Sequence, residues 1–184
     1  MTMPALVVMG VAGCGKSSVA QAIADAIGGT LIEGDAYHSD DNVAKMSAGE
    51  PLTDEDRAGW LARLAALLAE DIAHGRVPVL ACSALKARYR DVLRGGAQGL
   101  GFVFLDLTRE AAAARVAARP HHFMPASLID SQFAALERPS DEACVFTADA
   151  TLPIADIAAQ AVRWMQQMPG WPTQSADMPK ALSA

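Results

Sequence analysis

The sequence is poor in cysteine, with three in 184 residues: Cys14, Cys82 and Cys144. They are odd in number, far apart and without metal-ligand spacing. That excludes a disulfide framework and a thiolate metal site, and leaves reduced thiols in a cytoplasmic protein as the expectation. An excess of positive charge is also missing. Fifteen Lys and Arg against 21 Asp and Glu leave a formal net charge of −6, the wrong sign for nucleic acid or an acidic membrane surface. The opening segment MTMPALVVMG has no basic start, and its apolar run is too short to cross a bilayer, so neither a secretory signal nor a membrane span is expected. No internal repeat occurs. What is present is apolar content: 52% hydrophobic residues, which argues against disorder, on a length that suits one α/β domain with a core of its own.

Apolar runs alternate with helical patterns along the chain. Strands are expected at about 5–9, 30–33, 77–82, 101–106 and 143–147, with helices between them, the pattern of a parallel sheet with right-handed crossovers. The clearest helix starts at TDED, where Thr53 and Asp56 have capping-box spacing. Trp60, Leu61, Leu64, Leu67, Leu68 and Ile72 follow on one face, read as core, and His74-Gly75 ends the run. A last helix is expected at 154–167. Residues 1–168 then form a single domain, and 169–184, with three prolines and no periodicity, a mobile tail.

The strongest local signal is MGVAGCGKSSVA, between the first apolar run and a helical segment. Gly10, Gly15, Lys16 and Ser17 fit G-x-x-x-x-G-K-[ST], the phosphate-binding P-loop. Glycines let successive N–H groups turn onto an anion, so the backbone of Ala12, Gly13, Cys14 and Ser18 belongs to the expected cradle. The helix that follows adds its positive end. Lys16 is expected on the β and γ phosphates, and Ser17 as the protein ligand of Mg²⁺.

A P-loop serves kinases, GTPases and motor ATPases alike, so the rest of the chain must choose. No N-K-x-D is present to read guanine, and the D-x-x-G matches DAIG and DRAG lie in helical segments. Asp106, ending FVFLD, either holds Mg²⁺ through water or caps the helix that starts near Thr108; the capping role is preferred. The second strand leads into LIEGDAYH, where Glu33 and Asp35 point the same way if the strand continues. Strand carboxyl ends face the ligand in doubly wound folds, which brings Asp35 to the mouth of the P-loop as a candidate base for an attacking hydroxyl. His38, Lys45, Arg57, Ser83, Lys86 and Arg90 follow. Singly, each basic residue reads as a solvated helix face. Grouped at strand ends, they suggest a cationic, hydroxyl-bearing pocket for a small polyhydroxy acid. Arg115 and Arg119 share a helix face, and Pro120 then breaks the helix into a loop suited to a lid over the nucleotide.

Taken together, MGVAGCGKS, EGDAYH, NVAKMSAGEPLTDEDRAGWL, CSALKARYRDVLR and RPHHFMPASLIDSQFAALERP resemble the gluconate kinases, in the family's order and over most of residues 5–148. The resemblance implies an α/β/α P-loop sandwich with a five-stranded parallel sheet in order 2-3-1-4-5, a lid at about 119–126, and a homodimer. It implies ATP-dependent phosphorylation of D-gluconate at its 6-hydroxyl, with Mg²⁺. It puts Asp35 forward as base and His38, Arg57, Ser83 and Lys86 around gluconate. Arg115 and Arg119 fall on the lid side, Arg119 with a catalytic role, and His122 and Gln132 approach substrate or nucleotide. Relatives often carry Asp where this chain has Glu33, which leaves the part of that acid toward Mg²⁺ open. Arg109 and Arg138 are candidates to hold adenine. A kinase for another acid such as shikimate, or a nucleotide switch without transfer chemistry, are the competing readings.

Overall fold

The computed structural model describes residues 5–118 and 126–168. Five short apolar runs form its sheet: β1 (Leu6–Met9), β2 (Thr30–Glu33), β3 (Pro78–Ala81), β4 (Gly101–Asp106) and β5 (Val145–Asp149). They lie in the order β2-β3-β1-β4-β5, and every pairing is parallel, as expected. β1 is buried along its whole length, which is why it reads as a continuous apolar run rather than an alternating one.

The two-residue period of β1 divides the core. Leu6 and Val8 pack on one face of the sheet with Val19 and Ile23 of α1 (Lys16–Ile27) and Ile157 and Ala161 of α7 (Ile154–Met165). Val7 and Met9 pack on the other with Trp60, Leu61, Leu64 and Leu68 of α3 (Asp54–Ala73) and Tyr89 and Leu93 of α4 (Ala87–Arg94). The remaining helices are α2 (Asp40–Ser47), α5 (Arg109–Ala117) and α6 (Ala126–Ala135). The result is helix, sheet, helix.

Local chemistry sets the helix ends. The Thr53–Asp56 capping box of α3 forms in both directions, satisfying two orphan N–H groups at once. α1 stops at Gly28, whose φ of 65° is left-handed.

The strands lie within two residues of their expected bounds, and β2 and β4 match them. β5 starts at Val145 rather than 143, because Cys144 has a φ of 58° and a left-handed residue cannot continue a strand. β2 stops at Glu33, and Gly34–Tyr37 turn into a 3₁₀ helix, so Asp35 reaches the cleft from that turn and not by strand alternation. Gly34 permits the turn to lie against β3, since a Cβ there would stand 2.5 Å from the carbonyl oxygen of Ala81. Backbone cannot yield as a side-chain tip can. Gly34→Ala is therefore expected to cost roughly 1–3 kcal/mol. At about 2–4 °C per kcal/mol for a chain of this size, that is a fall of several degrees in Tm; an unchanged thermal melt would contradict it.

The expected tail at 169–184, and all of the expected lid except Ala126, lie outside the described residues. Ala126 begins α6.

Candidate active site

The P-loop joins β1 to α1. Gly10 has a φ of 146°, and a Cβ there would meet Cys14 Sγ at 2.8 Å and the Leu105 carbonyl oxygen at 2.9 Å. Only glycine fits that close passage. Cys14 is itself buried, 2% exposed, so its thiol fills space beneath the loop and is withheld from oxidants. α1 starts with neither an acidic first turn nor a side-chain cap, which leaves its positive end for an anion. The Lys16 ammonium donates to the Val11 carbonyl at 3.0 Å and so lies over the loop. The Ser17 hydroxyl donates to Glu33 Oε2 at 2.9 Å. Hydroxyl and carboxylate form an all-oxygen pair at the end of β2, chemistry that suits a hard cation. Among the described residues no group of three or more His, Cys, Asp and Glu could hold a metal unaided.

One cleft brings this loop together with the residues that follow β2 and β3. Ala12, Gly13, Gly15, Lys16, Ser17 and Ser18 line it on the loop side, and Asp35, His38, Arg57 and Ser83 line it opposite. Ser83 comes two residues after the end of β3, and its carbonyl accepts the Gly10 N–H at 3.3 Å, which ties the two halves. Arg57 donates to the carbonyls of Leu52 and Thr53 and lies over the Tyr89 ring; its guanidinium is thereby held at the cleft edge.

Trp60 organises the acceptor half. Its indole N–H donates to the Gly34 carbonyl at 2.8 Å, and its ring stacks on His38 with centroids 4.1 Å apart. Its helical spacing places it in the core; the structure makes it core and cleft wall at once. The Asp35 side chain is 82% exposed while that of His38 is 4% exposed, with 3.9 Å between Oδ1 and Nε2. That is too long for a hydrogen bond, and it is an ion pair only when the imidazole is protonated. His38 Nδ1 is buried with no hydrogen-bond partner among the described residues.

Burial pushes the His38 pKa below its ordinary 6.5; Asp35 opposes the shift and Arg57 adds to it. The unfolded chain therefore takes up this proton first. Stability tied to His38 is complete above pH 6.5 and is lost as pH falls from there toward the lower folded value. His38→Gln should flatten that segment of a Tm-against-pH curve and leave the loss at more acidic pH, where Asp56, held at about 2 by Lys45 and Thr53, protonates. Identical curves for the two proteins between pH 5 and 7 would refute the assignment.

The cationic pocket expected from the sequence divides. His38 and Arg57 line the cleft. Lys45 instead pairs with Asp56 at 2.7 Å, joining α2 to α3. Lys86 precedes α4 and donates to both oxygens of Asp54 at 2.9 and 3.2 Å; Asp54 also takes Tyr89 and Arg88. Arg90, expected to share the pocket with Lys86, is wholly buried and bound to Glu142. Helical spacing shows which residues share a face but not which side of the sheet that face meets.

On the α5 side, Arg115 donates to the Ala150 carbonyl at 2.8 Å, while Arg119 and His122 lie outside the described residues. Arg109 pairs with Asp130, and Arg138 with Asp106. The cap of α5 is Thr108, which accepts from Ala111 N–H, so Asp106 does not cap that helix. Gln132 of α6 lines the cleft, and its side-chain oxygen accepts the Ala12 N–H at 2.7 Å. An N–H only donates, so the contact fixes which end of the Gln132 amide meets the loop.

Comparison with known proteins agrees with this geometry. A family model described as an AAA domain matches residues 6–139. A gluconokinase of Gluconobacter oxydans (strain 621H) is 50% identical over 137 residues, 74% of this chain and 77% of that protein. The crystal structure of a gluconokinase from Sinorhizobium meliloti 1021 superposes with a TM-score of 0.78 at 46% identity, covering 88% of this chain and 90% of the other. That of a sugar kinase from Janibacter sp. HTCC2649 gives 0.85 at 41% identity, covering 89% and 95%. The P-loop, the sheet order and relatives at this identity over most of the chain agree: the protein belongs to the gluconokinase family of P-loop kinases.

Proposed function

We infer that this protein transfers the γ-phosphoryl group of ATP to the 6-hydroxyl of D-gluconate, giving 6-phosphogluconate and ADP. One observation carries the reading: a single cleft holds the P-loop lysine and, on its acceptor side, an exposed carboxylate, a buried imidazole, a guanidinium and a hydroxyl. Sugar-acid chemistry matches that set. Arg57 suits the carboxylate of gluconate, His38 and Ser83 its hydroxyls, and Asp35 the hydroxyl that attacks.

In the proposed step the gluconate oxygen attacks the γ phosphorus in line. The bond to the β–γ bridging oxygen breaks, and the hydroxyl proton passes to Asp35. Lys16 and the loop amides from Ala12 to Ser18 draw off the charge that gathers on the phosphate oxygens. When bound, Mg²⁺ would neutralise phosphate charge, held through Ser17 with Glu33 beside it. Arg115 and Arg119 are proposed to close over the phosphoryl group and keep water out. Lys86, held by Asp54 off the cleft lining, and His122 of the expected lid belong to the same proposed substrate set.

The same proposal includes a homodimer working in the cytoplasm with ATP as donor; sedimentation equilibrium tests the assembly. The reaction is tested by a coupled ADP-release assay with gluconate, shikimate and nucleoside monophosphates as acceptors. Saturable turnover with gluconate is expected. Turnover with shikimate alone, or ATP binding without acceptor-dependent turnover, would overturn the reading.

A further inference from the structure

Ala84 has a φ of 43°, one of two non-glycine residues among those described with a left-handed backbone. Such a conformation costs free energy for any residue with a Cβ and persists only where the surroundings impose it. Ala84 is fully buried and follows Ser83, the hydroxyl residue of the acceptor side. Leu85, Lys86 and the start of α4 come next. The sharp turn at Ala84 is what lets the chain leave β3, present Ser83 to the cleft and enter α4 within a few residues.

Arg90 lies behind that turn, with no exposed surface. One guanidinium nitrogen donates to two successive carbonyls, Ala84 at 2.8 Å and Leu85 at 3.1 Å. Extended chain aims successive carbonyls in opposite directions, so only a turned backbone offers both to one nitrogen. The other side of the guanidinium is fixed too. It donates to the Glu137 carbonyl at 3.0 Å and to both oxygens of Glu142. Arg94 holds Glu142 from α4 at 2.6 Å. Glu137 reinforces the turn: its N–H donates to the Leu85 carbonyl at 2.8 Å, and its carboxylate accepts the Ala87 N–H at 2.7 Å. A flat fork of five donors meets carbonyls and a carboxylate at once, which a lysine ammonium cannot do.

We propose that Arg90 is a positioning residue for the phosphoryl acceptor: by gripping the carbonyls of Ala84 and Leu85 it imposes the left-handed turn that sets Ser83 in the cleft. Arg90 does not line the cleft itself, so it acts on substrate only through that turn. The Ser83 carbonyl also receives the Gly10 N–H, which keeps the turn in register with the P-loop. The proposal rests on the acceptor-side role of Ser83 given above.

The experiment measures KM for gluconate and for ATP separately in Arg90→Lys, alone and combined with Ala84→Gly. Arg90→Lys keeps the charge facing Glu142 and loses the two-carbonyl grip. Its KM for gluconate should rise about tenfold or more, with KM for ATP within about twofold. Glycine adopts a φ of this kind without the Cβ penalty. Ala84→Gly in the Arg90→Lys background should therefore restore most of the gluconate affinity. A uniform loss of stability would not be rescued in this way. Equal rises in both KM values, or no rescue in a folded double variant, overturn the proposal. If Arg90→Lys does not fold, Arg90→Gln with Glu142→Gln removes both charges together, and the same two KM values are read. Should the wild-type protein show no gluconate-dependent turnover, the substrate reading fails by itself. The clamp is then tested by a double-mutant cycle in Tm between positions 84 and 90: non-additive shifts support it and additive shifts overturn it.

Discussion

Asp35→Asn is expected to lower kcat for gluconate phosphorylation by about 10²–10⁴-fold, the range for loss of a positioned general base. KM for ATP should stay within about threefold of the wild-type value. The asymmetry is the informative part. Asparagine keeps the size of aspartate and a hydrogen-bonding oxygen, so the substrate hydroxyl can still be approached. It cannot take up the proton. The Asp35 side chain carries no fold-building hydrogen bond among the described residues that would confound the result: it is 82% exposed, and the His38 ring nitrogen is 3.9 Å away. The 3₁₀ turn beneath it is held by backbone packing at Gly34 and by the Trp60 indole, neither of which the substitution touches. Tm should therefore be unchanged. A variant that lost ATP affinity and turnover equally would mean that the carboxylate supports the loop and does not act on the acceptor.

Much of this arrangement is legible in the sequence because it is local. The P-loop is contiguous, and its glycines and lysine do chemistry that few other residues can. The parallel sheet follows from the same logic, with short apolar runs separated by helices in a fold whose connections are handed; the strand order is implied by the resemblance to the gluconate kinases and not by the local pattern. The capping box at Thr53 is two residues three apart, and it forms as read. The acceptor side is harder because it is assembled from distant segments. Nothing near Trp60 in the chain says that its ring will stack on His38, 22 residues earlier (60 minus 38). Arg90 and Lys86 share a helix face by spacing, yet one is sealed against Glu142 and the other held by Asp54. Both acids lie far off in sequence, and only the packing of α3 and of the segment after α6 brings them in. Pairing decides which cations remain for a ligand, and pairing is tertiary. Residue type therefore over-counts the cationic pocket. What survives in the cleft, Lys16, His38 and Arg57, is without a carboxylate at hydrogen-bond distance among the described residues.

That same selection makes Lys16 the position of second large effect. Lys16→Met keeps the length and the apolar stem and removes only the charge. Deleting one preorganised donor to developing negative charge typically costs about 10²–10³-fold in kcat, and here ATP binding should weaken as well, because phosphate carries charge before and during transfer. Fold should be spared. The ammonium's contact is with the Val11 carbonyl at 3.0 Å, a charge-assisted bond whose loss is worth about 1.5–3 kcal/mol, less than the usual domain stability of about 5–15 kcal/mol. Kinetics and calorimetric ATP binding together separate Lys16 from Asp35: the lysine variant should lose in both, the aspartate variant in turnover alone. Combining the two gives the sharper test. If the ammonium and the carboxylate serve one transition state, one on the phosphoryl oxygens and one on the attacking hydroxyl, neither works well without the other. The double variant should then fall short of the product of the single losses, as residues acting as a unit do. Losses that multiply in full would place the two groups in independent steps, and the cleft would no longer be a single site of transfer.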